Sequence, residues 1–113
     1  MLSFKNKVAF NERLDEYNRI HLKYPDRIPC IIEPLKKFNI IIKNKYLVPD
    51  DLTLGQLIYI IRRRIKLSPE KALFVFINNK LPPSSSTIKE LYNIYREADG
   101  FLYFTFCLEN TFG

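Results

Sequence analysis

Apolar residues are sparse and helically spaced over the first 24 positions, where Leu14, Tyr17 and Ile20 form a thin stripe between charged neighbours. The spacing predicts helical structure over residues 3–23, in two pieces that break around Ala9-Phe10-Asn11. The helix has to stop before Tyr24-Pro25, because proline disfavours helical geometry in the residue that precedes it. Beyond that point the pattern changes to strand. Residues 27–33 (RIPCIIE) read as a first strand, in which Pro29 is acceptable only near an edge or a strand start. Residues 34–43 are expected as a loop. A second short strand follows at 45–48, ended by Pro49, and the spacing suits an antiparallel pair.

The strongest helical signal comes next. Thr53 is placed to cap a helix running from Leu54 to about Lys66, with Leu54, Leu57, Ile58, Ile61 and Ile65 on one stripe. Tyr59 and Ile60 lie off that stripe and leave apolar surface on the outside, which suggests a groove there. Residues 72–77 (ALFVFI) predict a buried strand turned by Asn78-Asn79-Lys80, and 82–86 a loop. Thr87 followed three residues later by Glu90 is a capping box for a second helix, whose core face is Ile88, Leu91, Tyr92 and Tyr95. Residues 101–108 (FLYFTFCL) are the last strand. The order is therefore helical extension, β, β, α, β, α, β and a short tail. A hairpin, a helix across the sheet and a late strand returning beside the first make an α+β fold. Its plan is the ubiquitin-like β-grasp roll, with a four-stranded mixed sheet, two packed helices and an N-terminal helical extension. The expected division is residues 1–24 for the extension, 25–108 for the β-grasp domain and 109–113 for a flexible tail. The long helix is expected to supply most of the core.

Composition removes several alternatives. An apolar content of 47% with nine Phe and seven Tyr provides a core rather than a disordered chain. No stretch approaches the roughly 18 uninterrupted apolar residues of a membrane span. Lys5 and Lys7 interrupt the first apolar stretch, unlike a signal peptide. Cys30 and Cys107 sit in strand-like runs, too few and too distant for a zinc site, and read as reduced, buried thiols. His21 is the single histidine, with no nucleophile beside it, and no Gly-rich phosphate loop is present. Neither a metal nor a cofactor is expected, and an enzyme is the least supported class. The net charge of +6 is concentrated in residues 25–66, which carry nine basic and four acidic side chains. A basic middle suits nucleic acid, an anionic membrane or acidic peptides. Aromatic residues interleaved with Arg and Lys on one sheet face would mark a nucleic-acid module. Here the aromatics gather in the last strands and helix, where the net charge is slightly negative. The tail Glu109-Asn110-Thr111-Phe112-Gly113 ends on glycine. A glycine carboxylate fits an enzyme channel in which a Cβ would collide.

Several blocks resemble one family across nearly the whole chain. They are Tyr24-Pro25-Asp26-Arg27-Ile28-Pro29, Lys45-Tyr46-Leu47-Val48-Pro49, Asp51-Leu52-Thr53-Leu54-Gly55-Gln56, Ile61-Arg62-Arg63-Arg64-Ile65, Leu81-Pro82-Pro83 and Asp99-Gly100-Phe101-Leu102-Tyr103. The family is that of the autophagy ubiquitin-like modifiers, which includes GABARAP, light chain three and the yeast autophagy modifier. The resemblance implies conjugation of Gly113 to phosphatidylethanolamine, with Phe112 helping the enzymes to grip the tail. It also implies an activating enzyme, a conjugating enzyme and a cysteine protease that trims and delipidates. The expected location is the cytoplasm and, in the lipid-anchored form, the autophagosome or vesicle membrane. The protein is expected to be monomeric in solution and not to bind nucleic acid.

The resemblance further implies binding of short extended peptides with an aromatic residue, two spacers and an aliphatic residue. An aromatic pocket maps to Glu16, Ile20, Pro29, Ile31, Lys45, Leu47 and Phe101, and an aliphatic pocket to Tyr46, Val48, Pro49, Leu52, Leu57 and Ile60. Arg27, Lys43, Lys45 and Arg64 are placed to meet acidic flanks. Plain core packing competes with pocket lining for Ile20, Ile31 and Leu47, and Arg62, Arg63 and Arg64 also fit a solvated helix end. The loop holding Phe38 and Ile40-Ile41-Ile42 is shorter and more apolar than in GABARAP. Leu57 stands where the family usually has Phe. A ubiquitin-like modifier attached to protein is the nearest alternative, opposed by the N-terminal extension and the pocket residues. A basic nucleic-acid-binding module is the alternative from another class.

Overall fold

The computed structural model describes residues 3–35 and 44–108. It contains α1 (Phe4–Lys7), α2 (Phe10–Lys23), β1 (Arg27–Pro34), β2 (Lys45–Pro49), α3 (Leu54–Arg64), β3 (Leu73–Phe76), α4 (Ile88–Tyr95) and β4 (Leu102–Leu108). The four strands form one mixed sheet in the order β2-β1-β4-β3. β1 pairs antiparallel with β2 and parallel with β4, which pairs antiparallel with β3. This is the α+β ubiquitin-like plan expected from the element order.

Local chemistry accounts for the element ends. Thr53 and Thr87 each accept a hydrogen bond from the backbone N–H three residues on, and the side chains of Gln56 and Glu90 complete both capping boxes. Thr87 donates to Glu90 from its backbone and hydroxyl, holding that carboxyl below its ordinary pKa. Asn78 and Asn79 both have positive φ, and Ile77 and Lys80 exchange two backbone hydrogen bonds around them. Asparagine tolerates this left-handed region better than most residues.

Pro29 lies in an internal strand without disrupting it. The Ile32 N–H donates to Asn44 C=O across the β1–β2 pair, so the alternation of antiparallel bonding turns the Pro29 nitrogen away from β2. On its other side β4 pairing begins only at Cys30, opposite Leu102. The missing N–H therefore leaves no ladder bond unmade.

Each face of the sheet carries a core. On one, α3 and α4 cover β1, β2, β3 and β4 through Leu54, Leu57, Ile61, Ile88 and Leu91, packed on Cys30, Ile32, Val75, Phe104 and Phe106. The core is shared by both helices rather than supplied mainly by the longer one. On the opposite face Phe4, Ile31 and Phe101 form a second buried cluster, with Val8, Tyr17, Ile20 and Tyr103 packed around it. The uninterrupted burial of Ile28 through Ile32 in β1 reflects this double coverage. Cys30 and Cys107 are both free and buried.

The N-terminal helices are tied to the sheet by a polar network against β1 and the start of β4. Asp99 is 1% exposed and accepts from Arg13 Nε at 2.9 Å, Tyr103 OH at 2.5 Å and the Phe101 N–H at 3.0 Å. Arg13 also donates to the carbonyls of Val8 (2.7 Å) and Lys5 (3.1 Å), holding the α1–α2 connection. The Phe4 N–H donates to Glu33 at 2.7 Å, and Lys5 pairs with Glu97. Beside this network Gly100 has φ +90°, and a Cβ there would lie 2.2 Å from the Tyr17 ring.

Candidate functional site

Edge strand β2 presents the two chemically different faces on which a ligand can be read. Strand geometry sends successive side chains to opposite faces. Lys45, Leu47 and Pro49 accordingly share one face, and Tyr46 and Val48 the other. The register with β1 extends this division inward, pairing Ile31 with Lys45 and Pro29 with Leu47 on one side. Cys30 pairs with Tyr46 and Ile28 with Val48 on the other.

On the first face stand the residues mapped to the aromatic pocket. Ile31 and Phe101 are fully buried, Ile20 packs against them from α2, and Pro29 is buried beside them. Lys45 forms an ion pair with Glu16 at 2.5 Å, linking β2 to α2 over this cluster. Its charge is shared with a carboxylate of the same chain, and a partly exposed pair of this kind is worth about 0–1 kcal/mol.

Phe4 is a member of this cluster that the periodicity did not single out. Its ring meets Phe101 edge-on at 5.3 Å, and Lys45 Nζ lies 5.0 Å from its centroid. Tyr103 completes the surround, 6.5 Å from Phe4 and 6.4 Å from Phe101. Burial pushes the Tyr103 phenol well above its ordinary pKa, and the hydrogen bond to Asp99 adds to the shift.

On the second face, Tyr46, Val48 and Leu57 are buried in the main core, and Leu52 packs against it. Ile60 is half-buried on α3; Pro49, half-buried at the end of β2, falls by alternation on the first face with Lys45 and Leu47, not with the aliphatic-pocket residues it was mapped to. Burial pushes the Tyr46 phenol up, and the charge of Arg64 partly offsets it, so Arg64 acts on the β2 edge from the end of α3. Arg62 is engaged differently, closing the helix end through the Ser68 and Pro69 carbonyls at 3.0 and 3.4 Å. Arg63 lies over the exposed Tyr59 ring at 5.8 Å. Arg27 is exposed at the start of β1, opposite Pro49. Lys43, the apolar loop at 38–42, Phe112 and Gly113 lie outside the described residues.

The described residues contain no group of three or more His, Cys, Asp or Glu side chains able to hold a metal ion. No described helix is long and apolar enough to cross a membrane.

Known proteins place this arrangement in context. A family model described as "Autophagy protein Atg8 ubiquitin like" matches residues 12–113. Autophagy-related protein 8 of Schizosaccharomyces pombe is 54% identical over 112 residues, covering 97% of this chain and 93% of its own. The protein of that name from Aspergillus niger is 52% identical over 112 residues, covering 97% and 95%. The crystal structure of Trypanosoma brucei ATG8 superposes with a TM-score of 0.91 at 36% identity, over 100% of this chain and 99% of that one. Plasmodium falciparum Atg8, solved in complex with a Plasmodium falciparum Atg3 peptide, superposes with a TM-score of 0.84 at 33% identity, over 95% and 96%. By sequence over nearly its full length and by fold, the chain belongs to the Atg8 family of ubiquitin-like autophagy proteins.

Proposed function

We propose that this protein is a modifier attached through Gly113 to phosphatidylethanolamine on autophagosomal membranes. There it serves as an adaptor for peptides carrying an aromatic-x-x-aliphatic motif. Activating and conjugating enzymes would join Gly113 to the lipid amine, Phe112 would seat the tail, and a cysteine protease would reverse the bond. A lipid with two acyl chains meets the physical requirement for stable anchoring of a chain whose described helices are all too short or too polar to cross a membrane. The solved complex of the Plasmodium Atg8 with an Atg3 peptide supports peptide recognition within the family.

One observation carries the adaptor reading: the two apolar groups flanking edge strand β2 lie on opposite faces of the sheet. A peptide added to this edge hydrogen-bonds through its backbone as a fifth strand. Its residues i and i+3 differ by an odd number and so point to opposite faces. An aromatic residue, two spacers and an aliphatic residue thus deliver one side chain to Glu16, Ile20, Pro29, Ile31, Lys45, Leu47 and Phe101, and the other to Tyr46, Val48, Pro49, Leu52, Leu57 and Ile60. Acidic flanks meet Arg27, Lys43, Lys45 and Arg64.

Burying two such side chains contributes roughly 1.5–3 kcal/mol each before the cost of association. A dissociation constant near micromolar, about −8 kcal/mol, follows when backbone and acidic contacts are added. Calorimetry with an acid-flanked motif peptide is the test. The expected result is binding at that level, weakened about tenfold or more by Ala at either anchor. Binding indifferent to both anchors contradicts the reading.

A further inference from the structure

We propose that the cleft between α2, the turn leading into β1, and α4 is a second ligand site, one that takes a phosphate monoester. The cleft measures about 240 Å³ and is bordered by His21, Arg27, Asp50, Lys89, Tyr92 and Arg96. A single water needs only roughly 10–15 Å³. The space therefore admits a multi-atom ligand.

Its charge is the first argument. Arg27, Lys89 and Arg96 come from three separate places, the start of β1 and the two ends of α4, and they face one carboxylate, Asp50. Among the described residues none of these three cations forms an ion pair. Many described cations are likewise without an ion pair; what sets these three apart is that they line one cleft. Cations grouped around a concave surface add their potentials inside it. A dianion with three oxygens matches several convergent cationic donors better than a single carboxylate does.

Preorganisation is the second argument. The Arg96 guanidinium lies over the Tyr92 ring at 5.6 Å, and the Tyr92 hydroxyl is fixed on Gly100 C=O at 2.7 Å. Lys89 N–H is bonded to Asp50 C=O at 3.0 Å, and Asp50 N–H to Asp26 C=O at 3.2 Å, so the α4 and β2 sides of the cleft are tied together. Tyr17 and His21 stack at 5.6 Å and 16°, forming a flat aromatic wall against which the organic part of an ester can lie. The cleft meets the proposed peptide site at Arg27 alone, because Lys89 and Arg96 belong to α4 and not to the β2 edge.

The test is a heteronuclear NMR titration of the full ¹⁵N-labelled chain with O-phosphoserine amide, inorganic phosphate and N-acetyl-phosphotyrosine amide. Saturable shifts centred on Arg27, Lys89, Tyr92 and Arg96 are expected, weakened at least about tenfold in K89A/R96A. That variant should keep the wild-type urea midpoint and the wild-type response of β2 to a motif peptide. Tighter binding of the esters than of inorganic phosphate identifies a phosphorylated side chain as the source; equal binding would make the cleft a site for a free anion and overturn the monoester assignment. Shifts that do not saturate, that appear equally at Arg62–Arg64, or that survive K89A/R96A overturn the proposal. So does binding confined to vesicles containing phosphatidic acid, which would assign this face to a membrane.

Discussion

Asp99 is the residue on which the docking of the N-terminal segment turns. Its carboxylate is buried with Arg13, so removing one partner leaves the other uncompensated, at a cost of about 3–5 kcal/mol for buried pairs. Arg13→Ala is expected to lower stability by several kcal/mol, read as a fall in the urea midpoint. An unchanged midpoint would mean that the buried Arg13–Asp99 pair adds nothing to the folded state. Gly100→Ala is expected to cost about 2 kcal/mol or more, since the residue has φ +90° and the new Cβ would meet Tyr17. The tyrosines give a pH signature. Tyr103, Tyr92 and Tyr46 all have raised pKa values, in each case chiefly through burial. In the unfolded chain tyrosine loses its proton near pH 10. The folded state keeps its protons to higher pH, so it binds more of them than the unfolded state above that value. Stability contributed by these phenols is therefore complete below about pH 10 and falls as pH rises further. Urea midpoints taken between pH 9 and 11 should decline, and Tyr103→Phe should flatten the decline.

At the scale of elements, the parity of β2 makes the sharpest prediction. Inserting one residue between the aromatic and aliphatic anchors of a bound peptide sends both side chains to the same face. Affinity should drop by about tenfold or more, because one anchor loses its roughly 1.5–3 kcal/mol. Equal affinity by calorimetry would exclude strand addition at this edge. Much of this level was legible in the chain itself. The cap at Thr53 and the capping box at Thr87 announced both packed helices, whereas Pro29 suggested an edge position for a strand that the fold puts inside the sheet. The docking of α1 was not legible. A four-residue helix with one apolar side chain has no periodicity to read, and Phe4 acquires its role from Phe101 and Ile31, far away in sequence. The same holds for Asp99, whose Asp-Gly context reads as an ordinary turn until Arg13 is brought to it from 86 positions away. Most residues mapped to the two groups lie on opposite sheet faces, Pro49 being the exception that alternation sets beside Lys45 and Leu47, and that Lys45 already shares its charge with Glu16 needed the fold.

For the whole molecule, β1 and β4 run parallel, so the chain leaves β4 at Leu108 at the end of the sheet away from Arg27 and the basic cleft. An anchor joined through the tail would therefore leave that cleft facing outward from the bilayer. Micromolar single contacts suit such a display, because many copies on one surface turn a second binding event into an intramolecular one. A bivalent motif peptide should bind vesicle-displayed protein about a hundredfold more tightly than it binds the soluble chain. The most direct measurement of the central claim is intact mass after incubation with the activating and conjugating enzymes, ATP and phosphatidylethanolamine liposomes. The account predicts a gain of one phosphatidylethanolamine on the full chain and none on a chain lacking Gly113. No gain with enzymes proven active on a relative, or a gain that persists without Gly113, would contradict it.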